Sequence, residues 1–204
     1  MSTATAGFLG SVAGALAVMV VVLVVAANRG ERNVGPGSAF DAAGSAGVAG
    51  PAGEAPGRAP PLTGTPREQA DRLFNRVMQS LAMGDSAQAS FFLPMAILAY
   101  KQAGDLDADG HYHLAVLETT AGNYAAAREA ADRILAEAPD HLLGLGAAAR
   151  AAAQAGDVAT ARRLYARLLG VYDEERVRER PEYRDHAQIL PDYKDEAQRF
   201  VGGS

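Results

Sequence analysis

The sequence predicts an all-α protein, because three observations after residue 64 indicate paired helices. The tripeptide Gly-Asn-Tyr at residues 122–124 recurs 34 positions later as Gly-Asp-Val at residues 156–158. In the same register, small and apolar residues recur at the spacing of one helix face. A helix-start signal at residues 65–68 precedes the first apolar run. An internal repeat of this length indicates units of two short helices, each of which buries its apolar face by stacking on a neighbour.

The first element is an uncharged apolar run at residues 7–27, which has the length of a helix that crosses a bilayer. A cleavable signal peptide is the alternative, with residues 25–27 as a small-residue cleavage site. The tail before the run carries no Lys or Arg, and the run is longer than a signal core, so we favour a retained single-pass anchor. Gly10 and Gly14 form a GxxxG pair that would let another transmembrane helix approach closely, although Gly is also common in such helices without that role.

The segment after the anchor bears on orientation and on spacing. Arg29 and Arg32 follow the apolar run, and the positive-inside tendency favours the cytoplasmic side for them and for the domain behind them. Glu31 lies between these two arginines and the bias is small, so an extracytoplasmic domain stays open as an alternative. Residues 28–64 are rich in Gly, Ala and Pro and nearly free of large apolar residues, which is typical of a flexible linker without a core.

The helical repeat domain is predicted at residues 65–170. It begins with a capping box at residues 65–68, followed by an apolar helix face made of Ala70, Leu73, Phe74, Val77, Met78 and Leu81. Gly84 ends this helix, and a second helical segment covers residues 86–103, in which Pro94 should kink or restart the helix. This first unit is irregular, because its register is displaced by four residues from that of the next two.

The two regular units resemble the tetratricopeptide repeat. Leu114-Ala115 match its Leu-Gly pair, Gly122 its turn glycine and Ala127 its alanine. Pro139 matches its closing proline, and Tyr165 matches its large apolar position. The sequence departs from the pattern at Ala131, where a large side chain is usual, and at Ala148, which replaces the Leu. The resemblance, to membrane-anchored repeat proteins of bacterial type, implies a short α-solenoid of about three helix pairs.

The resemblance also implies a binding groove, since the first helices of such repeats line a concave surface that binds other proteins. The matching residues are Tyr112, Val116, Thr119, Thr120, Leu143, Arg150 and Gln154. The Lys and Asn residues with which some members hold a C-terminal carboxylate are absent from these positions. We therefore expect a mostly neutral groove that binds a helix or an extended segment of another protein. The alternative is that the chain's own C-terminal tail fills the groove.

Residues 171–204 are predicted to cap the exposed end of the stack, because a terminal repeat needs a cover with a polar outer face. Pro181 and Pro191 should divide this segment into short helices. The residues expected to cover the stack are Tyr172, Tyr183, Ile189, Leu190, Tyr193 and Phe200.

Acidic residues and histidines next to each other suggest a metal site. Residues 105–110 read Asp-Leu-Asp-Ala-Asp-Gly, the opening of an EF-hand calcium loop, but the twelfth position, which needs a bidentate carboxylate, is Val116. We therefore favour a turn in which an aspartate caps the following helix. His111 and His113 are two residues apart, so on a helix they point to different faces. His186 lies far away in the tail, without a motif around it. The sequence predicts no metal ligands and no cofactor.

Composition excludes several classes of function. The absence of Cys removes disulfides, thiolate catalysis and Cys-ligated zinc. The net charge of −5, with both signs interspersed, indicates no basic face for nucleic acid. The sequence contains no phosphate-binding loop, nucleophile elbow or HExxH motif, so we predict no catalytic residues and no enzyme activity.

The sequence therefore predicts a membrane-anchored, non-catalytic scaffold whose partners are other proteins, themselves expected to be membrane-associated. The alternative is a stoichiometric accessory subunit of a large integral membrane complex, such as an energy-transducing assembly, held by its anchor and its linker together. A calcium- or metal-responsive module is a third hypothesis.

Overall fold

The computed structural model describes residues 64–203, which form eight α-helices and no strand. The all-α prediction is confirmed for this part of the chain. The helices are α1 (Pro66–Ala82), α2 (Ser86–Gln102), α3 (Ala108–Thr120), α4 (Tyr124–Glu137), α5 (Leu142–Gln154), α6 (Val158–Glu175), α7 (Pro181–Asp185) and α8 (Ile189–Gly202). The predicted anchor, its Gly10 and Gly14 pair, and linker residues 28–63 lie outside the described residues. Between residues 64 and 203, no helix combines the length and the apolar character that a membrane crossing requires.

Three helix hairpins, α1–α2, α3–α4 and α5–α6, share one turn of three residues. The turn glycines Gly84, Gly122 and Gly156 have φ of 74°, 76° and 82°, in the left-handed region that glycine adopts without steric cost. At each turn the next residue donates its N–H to a carbonyl five residues earlier, as Asp85 does to Ser80 at 2.8 Å, which completes a Schellman motif. The same local chemistry therefore reverses the chain three times.

The predicted capping box of α1 is present, but Met78 of the predicted apolar face is 36% exposed. The Thr65 hydroxyl accepts a hydrogen bond from the Glu68 N–H at 3.2 Å, and the Glu68 carboxylate accepts from the Thr65 N–H at 2.7 Å. Helix α2 continues without a break through Pro94, so the predicted restart does not occur. Pro94 and Ser90 are both exposed, and water can therefore satisfy the Ser90 carbonyl that loses its helical partner to the proline.

Small residues let α5 lie at the centre of the stack. Every residue of α5 from Leu142 to Ala149 is buried, and α4 and α6 pack on either side of it. Gly and Ala at most of these positions leave room for both neighbours, because they place little side chain between helix axes. Leu114 and Val116 of α3 contact both this core and the core between α1 and α2, which makes the packing continuous.

The C-terminal segment covers the end of the stack as a set of aromatic and aliphatic contacts. Helix α8 packs on α6 and α5. All six predicted covering residues belong to this packing, with Tyr172, Tyr183, Leu190 and Tyr193 buried and Ile189 and Phe200 partly buried beside them. Helix α6 extends to Glu175, so Tyr172, the first of these covering residues, lies in the last turn of this helix.

The Tyr193 ring of this cap lies close against the backbone of Gly146. A Cβ atom added at Gly146 would lie 2.5 Å from two atoms of that ring, closer than real contacts allow. Tyr193 itself is 1% exposed, so the ring has little room to move away. Glycine at this position is therefore required by the approach of α8.

We expect Gly146→Ala to lower the free energy of unfolding by about 1–3 kcal/mol, because the added methyl overpacks the contact with Tyr193. The matched control is Gly170→Ala on α6, where an added Cβ meets nothing within 4 Å. There the loss of backbone freedom in the unfolded chain should raise stability by about 0.4–1 kcal/mol. Chemical denaturation followed by circular dichroism measures both, and equal shifts in the two variants would contradict the contact.

Candidate functional site

The described residues bring together a polar cluster that we call the His–Asp centre, made of Asp109, His113 and His186. Asp109 and His113 lie four residues apart on α3 and therefore on one face, whereas His186 caps the end of α7. The His186 Nε2 atom is 2.7 Å from Asp109 Oδ1 and 3.2 Å from His113 Nε2. His113 Nε2 is 3.5 Å from the same Asp109 oxygen. Three side-chain atoms from two distant parts of the chain thus meet around one point.

Tyr100 and Asp71 set the proton position on His113. The Tyr100 hydroxyl donates to Asp71 Oδ1 at 2.5 Å and lies 2.7 Å from His113 Nδ1. Since that hydroxyl has one hydrogen, its oxygen must accept from an Nδ1–H of His113. The Nε2 atom of neutral His113 then carries a lone pair that faces His186 and Asp109.

Arg67 of α1 binds the carboxylates around the centre. Its Nη2 atom lies 2.6 Å from Asp109 Oδ2, its Nη1 atom 2.6 Å from Asp107 Oδ1, and its Nε atom 2.9 Å from Asp71 Oδ1. These charge-assisted bonds connect the first helix of the stack with the start of α3. The bond to Asp109 uses Oδ2, the oxygen that is not in contact with the histidines.

Aromatic rings enclose the two histidines. Phe74 stacks on His113 with ring centroids 3.8 Å apart and an interplanar angle of 17°. Tyr112 meets the His186 ring edge-on at 4.7 Å. The side chains of His113, His186 and Asp109 are 10%, 17% and 24% exposed, so the centre is enclosed but can be reached from solvent.

The electrostatics of the centre follow from burial and from these partners. Burial lowers the pKa of His113 below its ordinary value, which outweighs the opposite effect of Asp109 and Asp71. For Asp109, burial alone would raise the pKa, but the hydrogen bond from His186 and the nearby positive groups bring it below the ordinary value. At neutral pH the centre therefore holds an ionised Asp109 beside a neutral His113.

A second buried network positions α7 and hence His186. The N–H of Leu142, at the start of α5, donates to the Tyr183 hydroxyl at 2.8 Å, and that hydroxyl donates to Glu175 at 3.1 Å. His141 Nε2 lies 2.8 Å from Glu182 Oε1, and its ring contacts Tyr183. The short helix α7 is thus held against the start of α5, with its last residues directed towards α3.

The structure places the acidic motif in a turn and separates the two neighbouring histidines. Asp107 caps α3 by accepting from the Gly110 N–H at 2.8 Å, as the turn interpretation predicts. His111 points away from His113, and its Nδ1 atom is buried without a hydrogen-bond partner among the described residues. The sequence analysis considered His113 only with His111 and did not consider it with Asp109, although the four-residue spacing of Asp109 and His113 was the available signal. Nothing local in the sequence pointed to His186.

The residues predicted to line a partner groove are divided by the packing of α8. Tyr112 and Leu143 are buried, and Arg150 pairs with Glu196 of α8 at 2.5 Å while its guanidinium lies 4.5 Å from the centroid of the Tyr193 ring. The remaining predicted residues are half-buried, namely Val116, Thr119, Thr120 and Gln154. The chain's own tail thus lies against the Arg150 part of the predicted groove, and a role of these residues in partner binding stays a prediction.

An exposed apolar face lies on α2. Phe91 and Leu98 are each 54% exposed, and Ala87 and Pro94 on the same side are also exposed. The four residues recur at intervals of four, three and four, which places them along one stripe of the helix. We call this stripe the α2 apolar face.

Comparison with models of known protein families, with curated proteins and with solved structures finds no match to this chain.

We expect Tyr100→Phe to lower the free energy of unfolding by about 1–3 kcal/mol, because it removes the hydroxyl that partners both His113 and Asp71. Tyr172→Phe is the matched control, since the described residues offer the Tyr172 hydroxyl no hydrogen bond, and it should change stability by less than about 0.5 kcal/mol. Denaturation curves of both variants test this, and a neutral Tyr100→Phe would contradict the network.

Stability should fall as the pH falls below about 6.5, the ordinary pKa of an exposed histidine. Burial lowers the pKa of His141, more than the hydrogen bond with Glu182 raises it, and His113 shares this direction. The unfolded chain therefore binds more protons than the folded one once the pH drops through 6.5. Asp107 and Asp109, whose pKa values are lowered, add their effect only below about pH 4.

The measurement is the free energy of unfolding between pH 7.5 and 5.5. His141→Asn keeps a cap acceptor at the start of α5 but removes the titrating ring. The free energy of unfolding of this variant should therefore fall less between pH 7.5 and 5.5 than that of the wild type. A wild-type stability that does not change over this range would show that the prediction is wrong.

Proposed function

We propose that this chain is a non-catalytic scaffold that binds another protein through its helical domain and is held at a membrane by residues 7–27. The observation that carries the proposal is the α2 apolar face. The three successive helix hairpins and the sequence resemblance to tetratricopeptide repeats support it, because stacked hairpins offer long helical surfaces for binding.

The α2 apolar face is unusual because the opposite side of the same helix is already buried. Phe92, Leu93, Ala96 and Tyr100 pack in the core with α1, so α2 is apolar on both sides. A surface helix normally presents polar residues to water. Phe91 and Leu98 face outward and are not part of this core. Packing within the described fold therefore does not explain why they are apolar.

The length and chemistry of this face suit the apolar side of an amphipathic helix from a partner protein. The stripe from Ala87 to Leu98 covers three helical turns, about 16 Å at 1.5 Å per residue. It carries no charge, and a helix-in-groove contact is usually made by apolar anchors at this spacing. An extended partner strand would need unpaired backbone groups, which a helix does not offer.

An accessory subunit of a large integral membrane complex is the second hypothesis, and the uncharged run at residues 7–27 of the sequence supports it. The two hypotheses differ in stoichiometry. An accessory subunit remains with its complex at a constant ratio through purification in mild detergent. A scaffold exchanges its partner and loses it on dilution.

We expect Phe91→Glu and Leu98→Glu to abolish the capture of a partner by the full-length chain in mild detergent. The matched control is Val158→Glu, which places the same charge on an equally exposed apolar residue at the start of α6. All three positions are exposed, so each change should alter stability by less than about 0.5 kcal/mol.

Capture alone is not sufficient, so a photo-crosslinking residue at position 91 identifies what lies on the face. We expect crosslinks to apolar residues on one helix of a partner protein. The Val158→Glu variant should still capture this partner, and the Phe91→Glu variant should not. Crosslinks only to lipid or to a second copy of the chain, or capture that is identical in all variants, would contradict it.

A further inference from the structure

We propose that Asp109, His113 and His186 bind one divalent transition-metal ion of the zinc type, which connects the C-terminal segment to α3. This site goes beyond the proposed scaffold function and does not depend on it.

The first support is the arrangement of the three candidate ligand atoms. Atoms bound to one ion at about 2.0–2.2 Å lie about 3.0–3.5 Å from one another in octahedral or tetrahedral geometry. His113 Nε2 is 3.2 Å from His186 Nε2 and 3.5 Å from Asp109 Oδ1, within this range. The third separation, 2.7 Å between His186 and Asp109, is that of a hydrogen bond and needs to open by only a few tenths of an ångström.

The second support is the proton on His113. Histidines that bind metals usually donate their other ring N–H to a carboxylate or another acceptor, which orients the ring and its lone pair. Tyr100 and Asp71 do this for His113, because the Tyr100 oxygen accepts from Nδ1–H and its own hydrogen goes to Asp71. His113 Nε2 is therefore prepared to donate its lone pair to an ion. For His186, binding requires the Nε2 proton that now bridges to Asp109 to move through solvent to Nδ1.

The third support is charge. Three carboxylates, Asp71, Asp107 and Asp109, share one guanidinium, that of Arg67. Without counting the histidines, these three carboxylates and one guanidinium have an excess of two negative charges, which one divalent cation would offset. Arg67 binds Asp109 Oδ2, so Asp109 Oδ1, whose present partner is His186, is not held by Arg67 and can bind the ion once that hydrogen bond opens.

The type of ion follows from the donor atoms. Two imidazole nitrogens and one carboxylate oxygen suit zinc, cobalt or nickel, whereas calcium and magnesium prefer an all-oxygen shell. The remaining coordination positions would be filled by water, since the Asp109 and His186 side chains are partly exposed. The protein provides a site that joins two chain segments 73 residues apart.

The test uses the full-length chain in mild detergent, without a polyhistidine tag and freed of metal by a chelator. Titration with ZnCl2 in a calorimeter should give one ion per chain. Titration with CoCl2 should give visible ligand-field absorption bands that saturate at the same ratio, because nitrogen ligands intensify these bands.

Variants then assign the ligands. His186→Ala and Asp109→Asn should each weaken zinc binding by about 100-fold or more, and Tyr100→Phe by about 10–100-fold through loss of the orienting bond to His113. The matched control is His111→Ala, which removes a histidine two positions from His113 and should leave the affinity within about threefold.

Circular dichroism tests that each variant keeps its helices. If His186→Ala loses them, the test of zinc binding rests on Asp109→Asn. The proposal is overturned if the wild-type chain shows no cobalt bands, or if it binds zinc no more tightly than Asp109→Asn. The three side chains would then be joined by hydrogen bonds alone. Equal loss of affinity in His111→Ala would also overturn it.

Discussion

The contact between Tyr193 and the backbone of Gly146 is the interaction on which the arrangement of the C-terminal half depends. Because α5 has no side chain at that point, α8 can approach closely enough to bury the tyrosine ring. Arg150 covers the same ring and pairs with Glu196, and Glu196 also accepts a hydrogen bond from Tyr165 at 2.6 Å. Apolar contact and paired charges thus hold α8 in one position.

That position has consequences on both sides of the stack. The path of the chain from α6 to α8 passes through α7, which Tyr183 and His141 hold at the start of α5. His186 follows directly and reaches α3, where it meets Asp109 and His113. The same docking places the tail on the Arg150 part of the predicted groove. Among the described residues, an apolar stripe that stays exposed lies on α2, with Phe91 and Leu98 each 54% exposed.

Helix α2 connects the two proposals physically. Its inner side carries Tyr100, which orients His113, and its outer side carries Phe91 and Leu98 of the α2 apolar face. The inner side of the helix packs against α1 in a shared core. Arg67 pairs with Asp71, Asp107 and Asp109, which joins α1 to the start of α3 and gives these charged groups the partners that buried polar groups usually have.

The sequence by itself determined the features that depend on neighbouring residues. The capping box at Thr65, the left-handed turns at Gly122 and Gly156 and the helical class follow from local chemistry and from repeated spacing. The passage of α2 through Pro94 did not follow, because solvent access at Ser90 depends on which side of the helix is buried. Only the tertiary structure decided that His186 joins Asp109 and His113 and that α8 covers Arg150. Those contacts join residues 46 to 77 positions apart, and their energy comes from packing that no local pattern records.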